Sequence, residues 1–325
     1  MQLTAYENGK VAVEESAKPV LSKGEVLLRV RACGICGSDV PRAFAGKSYY
    51  YPIVLGHEFS GEVMESENGE WRGKRVCVFP LLPCKECEFC KKEQWANCIR
   101  YDYYGSRRNG GMQEFLAVKE ENLVELPENV SFEAGAMIEP VAVCLHTIKK
   151  ANVQKGESVV VYGAGTIGLL CGMWAKSFGA ETVYAVDIDE KKIEMAKALG
   201  FEKYENQAVD VAVEASGASA CLNGALNAVK AFGRVAIVGN ASADMTIKKE
   251  NYAHILRKQL RIFGSWNSDF SSKVNDWKES LRAIEEGKIQ PQKLITHTFE
   301  LSESDKAFEI IKNREFYNKI MVVNK

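Results

Sequence analysis

The chain reads as an α/β protein of two domains, a β-rich barrel-like one and a doubly wound parallel sheet, and three observations predict it. Residues 1 to about 144 alternate short apolar runs with Gly and Pro (EVLLRVRACG, GEVME, KRVCVFP, FLAV), the period-2 pattern of strands in an irregular sheet. From about residue 150 the pattern becomes strand, helix, strand, helix, as a parallel sheet requires because each crossover needs a long connection. After Pro291 the pieces LITHTFEL and KIMVVN return to strand character and fit the first domain. The expected boundaries are 1–144 with 291–325 for the β-rich domain and 145–290 for the other. A boundary crossed twice by the chain makes a cleft between the domains the default ligand site.

Composition narrows the classes. The 325 residues suffice for two domains, each with its own core. Formal net charge is −1, with Lys and Arg interspersed among Glu and Asp, so there is no electrostatic footprint for nucleic acid or an anionic membrane. The most apolar stretches, VVVYGAGTIGLLCGMW and GRVAIVG, are broken by glycines and read as buried sheet and helix rather than membrane spans. MQLTAYENGK lacks the apolar stretch of a secretory signal, so the 10 cysteines are expected as thiols in a reducing cytoplasm.

In the first domain, Cys84, Cys87, Cys90 and Cys98 lie in LLPCKECEFCKKEQWANC, a segment with almost nothing apolar to bury. A tetrahedral thiolate site for zinc supplies the order that burial cannot. Four thiolates close the shell, so this zinc is expected to be structural.

In the second domain, ESVVVYG is a buried strand and TIGLLCGMWAKSFGA a helix closed by Gly179. TVYAVD and EKKIEMAKALG repeat the pair; VDVAVEASG, GRVAIVG and LRIFGSW add strands, with helices near 218–231 and 273–286. Between the first strand and its helix stand Gly163, Gly165, Thr166, Ile167 and Gly168, a GxGxxG turn in the context a dinucleotide site needs. Gly165 lets the backbone approach a pyrophosphate, and the helix N-terminus faces it. Asp187 ends the second strand, where its carboxylate accepts from ribose hydroxyls and repels a 2′-phosphate, favouring NAD over NADP. Lys191 and Lys192 argue the other way but read as a solvated helix face with Glu190 and Glu194.

The remaining ligand candidates are Cys36 in ACGICGSD, His57 and Glu58 in PIVLGHEFSG, and Glu139 in MIEPVAVCLH. A thiolate, an imidazole and one or two carboxylates make an open zinc site with room for an alcohol. A carboxylate in the apolar setting of Glu139 asks for a cation or a strong donor. Cys144 and His146 are alternatives just downstream.

GHE, the four-cysteine lobe, the EP motif and GAGTIG, in that order, resemble the zinc-dependent medium-chain dehydrogenases over essentially the whole chain. Glu139 in IEP is similar to the polyol branch, and CGSDVPRAF, YYPIVLGHEFSG, PLLPC, YDYYGSRRNGG and LRKQLRIFGSW look like its galactitol-1-phosphate 5-dehydrogenase group. The resemblance implies a GroES-like catalytic domain joined to a Rossmann domain. It also implies NAD, two zinc ions per chain, and Cys36, His57 and Glu139 as ligands of the catalytic one, with Glu58 as a neighbouring, exchanging ligand. Ser38 would take the proton of the substrate hydroxyl, and Asp39 would brace the turn. The assembly implied is a homodimer or homotetramer, joined by edge-strand pairing through LRIFGSW.

Three departures from the family pattern stand out. Pro41 occupies the place of the histidine that many relatives carry after the relay serine. Too few residues separate KYEN from VDVAVEASG for a crossover helix, and the turn ENGEWRGK is short. Arg107 and Arg108, with Arg42 or Lys47, could clamp a phosphate, so the expected reaction is oxidation of galactitol 1-phosphate to tagatose 6-phosphate. The alternatives are an unphosphorylated polyol or diol such as sorbitol or butanediol, L-threonine, or a zinc-stabilised NAD-sensing protein without turnover.

Overall fold

The computed structural model describes residues 1–325. The chain divides into two compact units, Met1–Glu139 with Asp269–Lys325, and Pro140–Ser268.

The first unit is built on a seven-stranded sheet in the order Leu123–Glu125, Arg75–Val78, Glu58–Glu65, Glu25–Gly34, Lys319–Val323 and Ile295–Glu300, with Phe115–Lys119 also paired to Glu25–Gly34. The long strand Glu25–Gly34 turns Val26, Leu28 and Val30 into a core shared with Phe59, Val63, Val76, Val118, Ile320 and Val322. Its pairing with Glu58–Glu65 is antiparallel and shifts register between Val30 and Ala32, a bulge that bends the sheet. A three-stranded sheet (Val11–Glu14, Gln2–Ala5, Ile53–Val54) shares that core, as expected for a GroES-like domain.

The second crossing lies between Ser268 and Asp269, upstream of the expected boundary at residue 290. Helix Asp276–Glu285 therefore belongs to the first unit, because Phe270 stacks on Phe79 at 4.4 Å and buried Trp277 packs edge-on against Phe79 at 5.4 Å. The first crossing, after Glu139, falls inside helix Ile138–Ala151.

The second unit is a six-stranded, wholly parallel sheet in the order Glu202–Lys203, Thr182–Val186, Ser158–Tyr162, Val209–Glu214, Val229–Ile237, Arg261–Gly264. This is the doubly wound order that reverses between the first and fourth strands. Helix Thr166–Ser177 packs on Ser158–Tyr162 and Thr182–Val186, while Ser219–Ala228 packs on Val209–Glu214. No helix lies between Lys203 and Val209, so the sheet is trimmed on that flank as the sequence indicates. Lys249–Arg257 is a further helix, whose strongly polar sequence gave little apolar signal. No helix is long and apolar enough to cross a membrane.

Candidate active site

Glu58 opens its strand directly opposite Gly34, at the end of Glu25–Gly34. A Cβ on Gly34 would lie 2.3 Å from Glu58 Oε2, so only glycine lets the carboxylate lie across the neighbouring strand. Two residues on, Cys36 sits in the turn that enters helix Asp39–Phe44, where the Asp39 amide donates to Cys36 O at 2.9 Å. These placements bring ligand atoms of Cys36, His57 and Glu58 within 4.8 Å of one another.

Buried charges fix each of the three. Asp39 Oδ2 accepts the Cys36 amide at 3.0 Å, and Oδ1 lies 3.5 Å from His57 Nδ1, which has no closer partner. Asp39 thus braces its turn through the Cys36 amide and also faces the Nδ1 edge of the His57 ring. Burial pushes the Asp39 carboxyl up, but His57, Arg42 and the Cys36 amide outweigh it and hold the group below the usual range. Burial likewise disfavours charge on His57, yet Asp39 and Cys36 lift it well above its ordinary value. Lys319 donates to Glu58 Oε1 at 2.9 Å, to Oε2 at 2.6 Å and to Ile35 O at 3.0 Å, with both side chains almost wholly buried.

Glu139 stands beside this group. Its Oε1 accepts from Tyr103 OH at 3.1 Å, and the Tyr103 ring packs edge-on against His57 at 5.7 Å. Burial, with Glu58 nearby, raises the Glu139 carboxyl to about 7 against the pull of His57. Ser38 Oγ donates to Cys36 Sγ at 3.3 Å. A soft sulfur, an imidazole and flanking carboxylates are a donor set that fits zinc. Cys144, in the second unit, donates its thiol to Ile167 O at 3.3 Å.

The four thiols of Cys84, Cys87, Cys90 and Cys98 also gather within 4.8 Å. The amides of Glu86 and Cys87 point at Cys84 and lower its thiol to about 6, while burial pushes Cys90 to about 12. Backbone donors aimed at sulfur favour thiolates, which is what a tetrahedral metal shell needs.

In the second unit, Gly163 has φ +99° and Gly168 sits so close that a Cβ would meet Gly163 O at 1.8 Å, while around Gly165 the space is open. That opening, at the N-terminus of helix Thr166–Ser177, fits a pyrophosphate. Asp187 follows strand Thr182–Val186 and accepts from the Ala164 amide at 2.7 Å and the Asp189 amide at 3.0 Å, tying the turn to the second strand.

The basic residues separate. Arg107 lies between the Tyr49 and Tyr101 rings, 4.4 and 4.0 Å from their centroids, and donates to Tyr49 OH and Tyr101 O. Arg108 is turned to Asp102 at 3.2 Å, Arg42 to Ser38, and Lys47 is exposed. Lys319 and Tyr103 escaped sequence reasoning. The signal for Lys319, a lysine heading the apolar strand KIMVV, looks like any strand end.

This pairing of folds, with an open donor set in one and a glycine-rich phosphate turn in the other, defines a metal-dependent nicotinamide dehydrogenase. Family models agree: "Alcohol dehydrogenase GroES-like domain" matches residues 22–128 and "Zinc-binding dehydrogenase" matches 166–286. The chain belongs to the zinc-dependent medium-chain alcohol dehydrogenase family, polyol branch, with zinc and a nicotinamide dinucleotide as cofactors. It is 33% identical to the galactitol 1-phosphate 5-dehydrogenase of Escherichia coli K12 over 97% of both chains. It is 31% identical to a sorbitol dehydrogenase of Halalkalibacterium halodurans over 96% of this chain and 95% of that one. The crystal structure of Escherichia coli galactitol-1-phosphate dehydrogenase matches with a TM-score of 0.93 at 32% identity, covering 99% of each chain.

Proposed function

We propose that the chain oxidises galactitol 1-phosphate to tagatose 6-phosphate with NAD. The catalytic zinc would be held by Cys36, His57 and Glu139, with Glu58 as the exchanging neighbour, and the structural zinc by Cys84, Cys87, Cys90 and Cys98. The observation that carries the reading is the gathering of Cys36, His57 and Glu58 beside buried Glu139 and the Ser38 hydroxyl. Lys319 engages both oxygens of Glu58, whereas Tyr103 engages Oε1 of Glu139, which makes Glu139 the readier ligand. Zinc supplies Lewis acidity at the alcohol oxygen, and the nicotinamide supplies the hydride acceptor. Ser38 takes the hydroxyl proton while its own proton passes outward. Asp187, Gly163, Gly165, Thr166, Ile167 and Gly168 hold the dinucleotide, and the Asp187 carboxylate disfavours a 2′-phosphate.

Arg107 supports the phosphorylated substrate. It stands two aromatic rings from His57, through Tyr101 and Tyr103, and its Nε is buried without a partner. Arg108, neutralised by Asp102, contributes less. The engagement of both Arg107 η-nitrogens favours a second reading, an unphosphorylated polyol such as sorbitol. NADH formation with galactitol 1-phosphate, galactitol, sorbitol and butanediol decides between them. Arg107→Met is expected to raise KM for the phosphate ester alone by about 10- to 100-fold. Equal efficiency on free and phosphorylated polyols refutes the phosphate reading.

The protein belongs to a reducing cytoplasm, where its 10 cysteines stand as thiols or zinc ligands. The assembly is a homodimer or homotetramer built through the exposed edge strand Arg261–Gly264, and sedimentation of an Ile262→Lys variant tests it.

A further inference from the structure

We infer that Arg42 is a positioning residue for Ser38: its guanidinium fixes the direction of the Ser38 hydroxyl and stabilises negative charge that develops there. The inference rests on the reading of Ser38 as proton acceptor and goes beyond it by naming the group that orients it.

Ser38 immediately precedes helix Asp39–Phe44, where a serine hydroxyl ordinarily caps the first turn. It makes no cap bond here and donates instead to Cys36 Sγ at 3.3 Å. Its backbone is already helical (φ −72°, ψ −16°), which turns the hydroxyl away from the cap position, and a cation one turn further on holds it there. Arg42 Nη1 reaches back to donate to Ser38 O at 2.8 Å and to Ser38 Oγ at 3.0 Å, and lies 3.4 Å from Asp39 Oδ1. The side chain is only 18% exposed, and Tyr51 OH anchors its backbone by donating to Arg42 O at 2.6 Å. A guanidinium so enclosed keeps its direction.

A serine hydroxyl has one proton to give and two lone pairs to receive. Arg42 fills one lone pair and the hydroxyl proton is donated to Cys36 Sγ, so a single lone pair remains for the substrate hydroxyl. In the transfer the original Ser38 proton turns from Cys36 Sγ and leaves to water or a cofactor hydroxyl, while the substrate O–H bond breaks and its proton takes that place; the negative charge that develops on Ser38 Oγ meanwhile is what Arg42 stabilises. Arg42 has no lone pair and stays protonated, so it cannot carry the proton itself. It differs in kind from the histidine that Pro41 displaces: it orients and stabilises, and the exit route remains water or a cofactor hydroxyl.

The test compares Ser38→Ala, Arg42→Ala, Arg42→Lys and the Ser38/Arg42 double alanine variant at matched zinc content. Arg42→Ala is expected to lower kcat by roughly 10- to 100-fold with KM little changed, the loss of a charge-assisted hydrogen bond made to the reacting group. Added guanidinium restores kcat in Arg42→Ala but not in Ser38→Ala, Arg42→Lys falls between, and the double variant is no slower than Ser38→Ala. In cobalt(II)-substituted protein, the thiolate charge-transfer band shifts alike in both single alanine variants, because each disturbs the hydroxyl bonded to Cys36. A loss confined to KM, additive losses, or an unshifted band in Arg42→Ala overturns the inference. Full kcat in Ser38→Ala instead removes the proton-acceptor reading, and this inference with it. Slow Ser38→Ala beside normal Arg42→Ala removes this inference alone. If Arg42→Ala does not fold, Arg42→Lys decides: reduced kcat at wild-type KM upholds the role and unchanged kcat overturns it.

Discussion

Replacing Lys319 by Met should expose how much of the first unit's stability depends on one buried charge pair. Lys319 and Glu58 side chains are 3% and 2% exposed, and the ammonium makes three bonds of 2.6 to 3.0 Å. At those distances and an effective dielectric of about 20 the attraction is on the order of 6 kcal/mol, but the desolvation of both ions offsets much of it. The relevant quantity is the cost of leaving Glu58 buried and alone, about 3–5 kcal/mol. With a urea m-value of about 3 kcal/mol/M this is a midpoint drop of about 1–2 M in metal-free protein. With zinc bound the drop should shrink, because Glu58 lies within 4.8 Å of the Cys36 and His57 donors and can turn to the cation instead. A Lys319→Met, Glu58→Gln double variant should recover most of the loss. Lys319 has its pKa raised, burial being outweighed by Glu58. Its contribution is therefore complete below the unfolded value of about 10.4 and lost only as pH rises through the folded one, so the midpoint difference should be flat from pH 6 to about 9. A metal-free loss under about 1 kcal/mol, or equal loss with and without zinc, would show that Glu58 is compensated by something other than Lys319.

Gly34→Ala should lower kcat by about 10-fold or more and destabilise by about 1–3 kcal/mol, since its Cβ would press on Glu58 Oε2; an active, stable variant refutes the close approach. Cys84→Ser should remove one zinc per chain by elemental analysis and lower the melting temperature, whereas retention of both metals places the second ion outside the lobe. Asp187→Asn should weaken NADH binding by about 10- to 100-fold in fluorescence titration, because the acceptor of the Ala164 amide becomes a donor or must rotate; unchanged affinity refutes that role.

What was legible in the sequence is what local spacing encodes. The four-cysteine lobe, the glycine turn from Gly163 to Gly168 and Asp187 at a strand end all depend on neighbours within a short stretch, and each element forms where the pattern put it. The missing crossover between Lys203 and Val209 was likewise a matter of counting residues. Long-range partners were not legible. Lys319 meets Glu58 across 261 positions, and nothing in KIMVV says that its lysine is buried. Helix Asp276–Glu285 carries a clear pattern of its own, but its membership of the first unit follows from Phe79, far upstream. Arg42 was visible as a cation near Cys36, yet only the fold reveals that it reaches backward to Ser38 instead of outward to a substrate phosphate.

The buried charges of the site explain why this donor set calls for a divalent ion. Asp39, Glu58 and Glu139 bring three carboxyl groups into one region beside the Cys36 sulfur, and Arg42 and Lys319 bring two positive charges. With zinc bound, Cys36 would be a thiolate, His57 neutral and the carboxyls ionised, which makes the imbalance two negative charges, the complement of the ion. Without that ion the protein must spread the excess over its own groups. The rise of Glu139 to about 7 and of His57 well above its ordinary value are both shifts toward bound protons. Metal binding should therefore expel protons, and the fixed cations stand beside carboxylates that stay charged: Lys319 at Glu58 and Arg42 at Asp39. Glu58 and Asp39 thus each face a fixed cation, whereas Cys36 and Glu139 are met by the neutral hydroxyls of Ser38 and Tyr103.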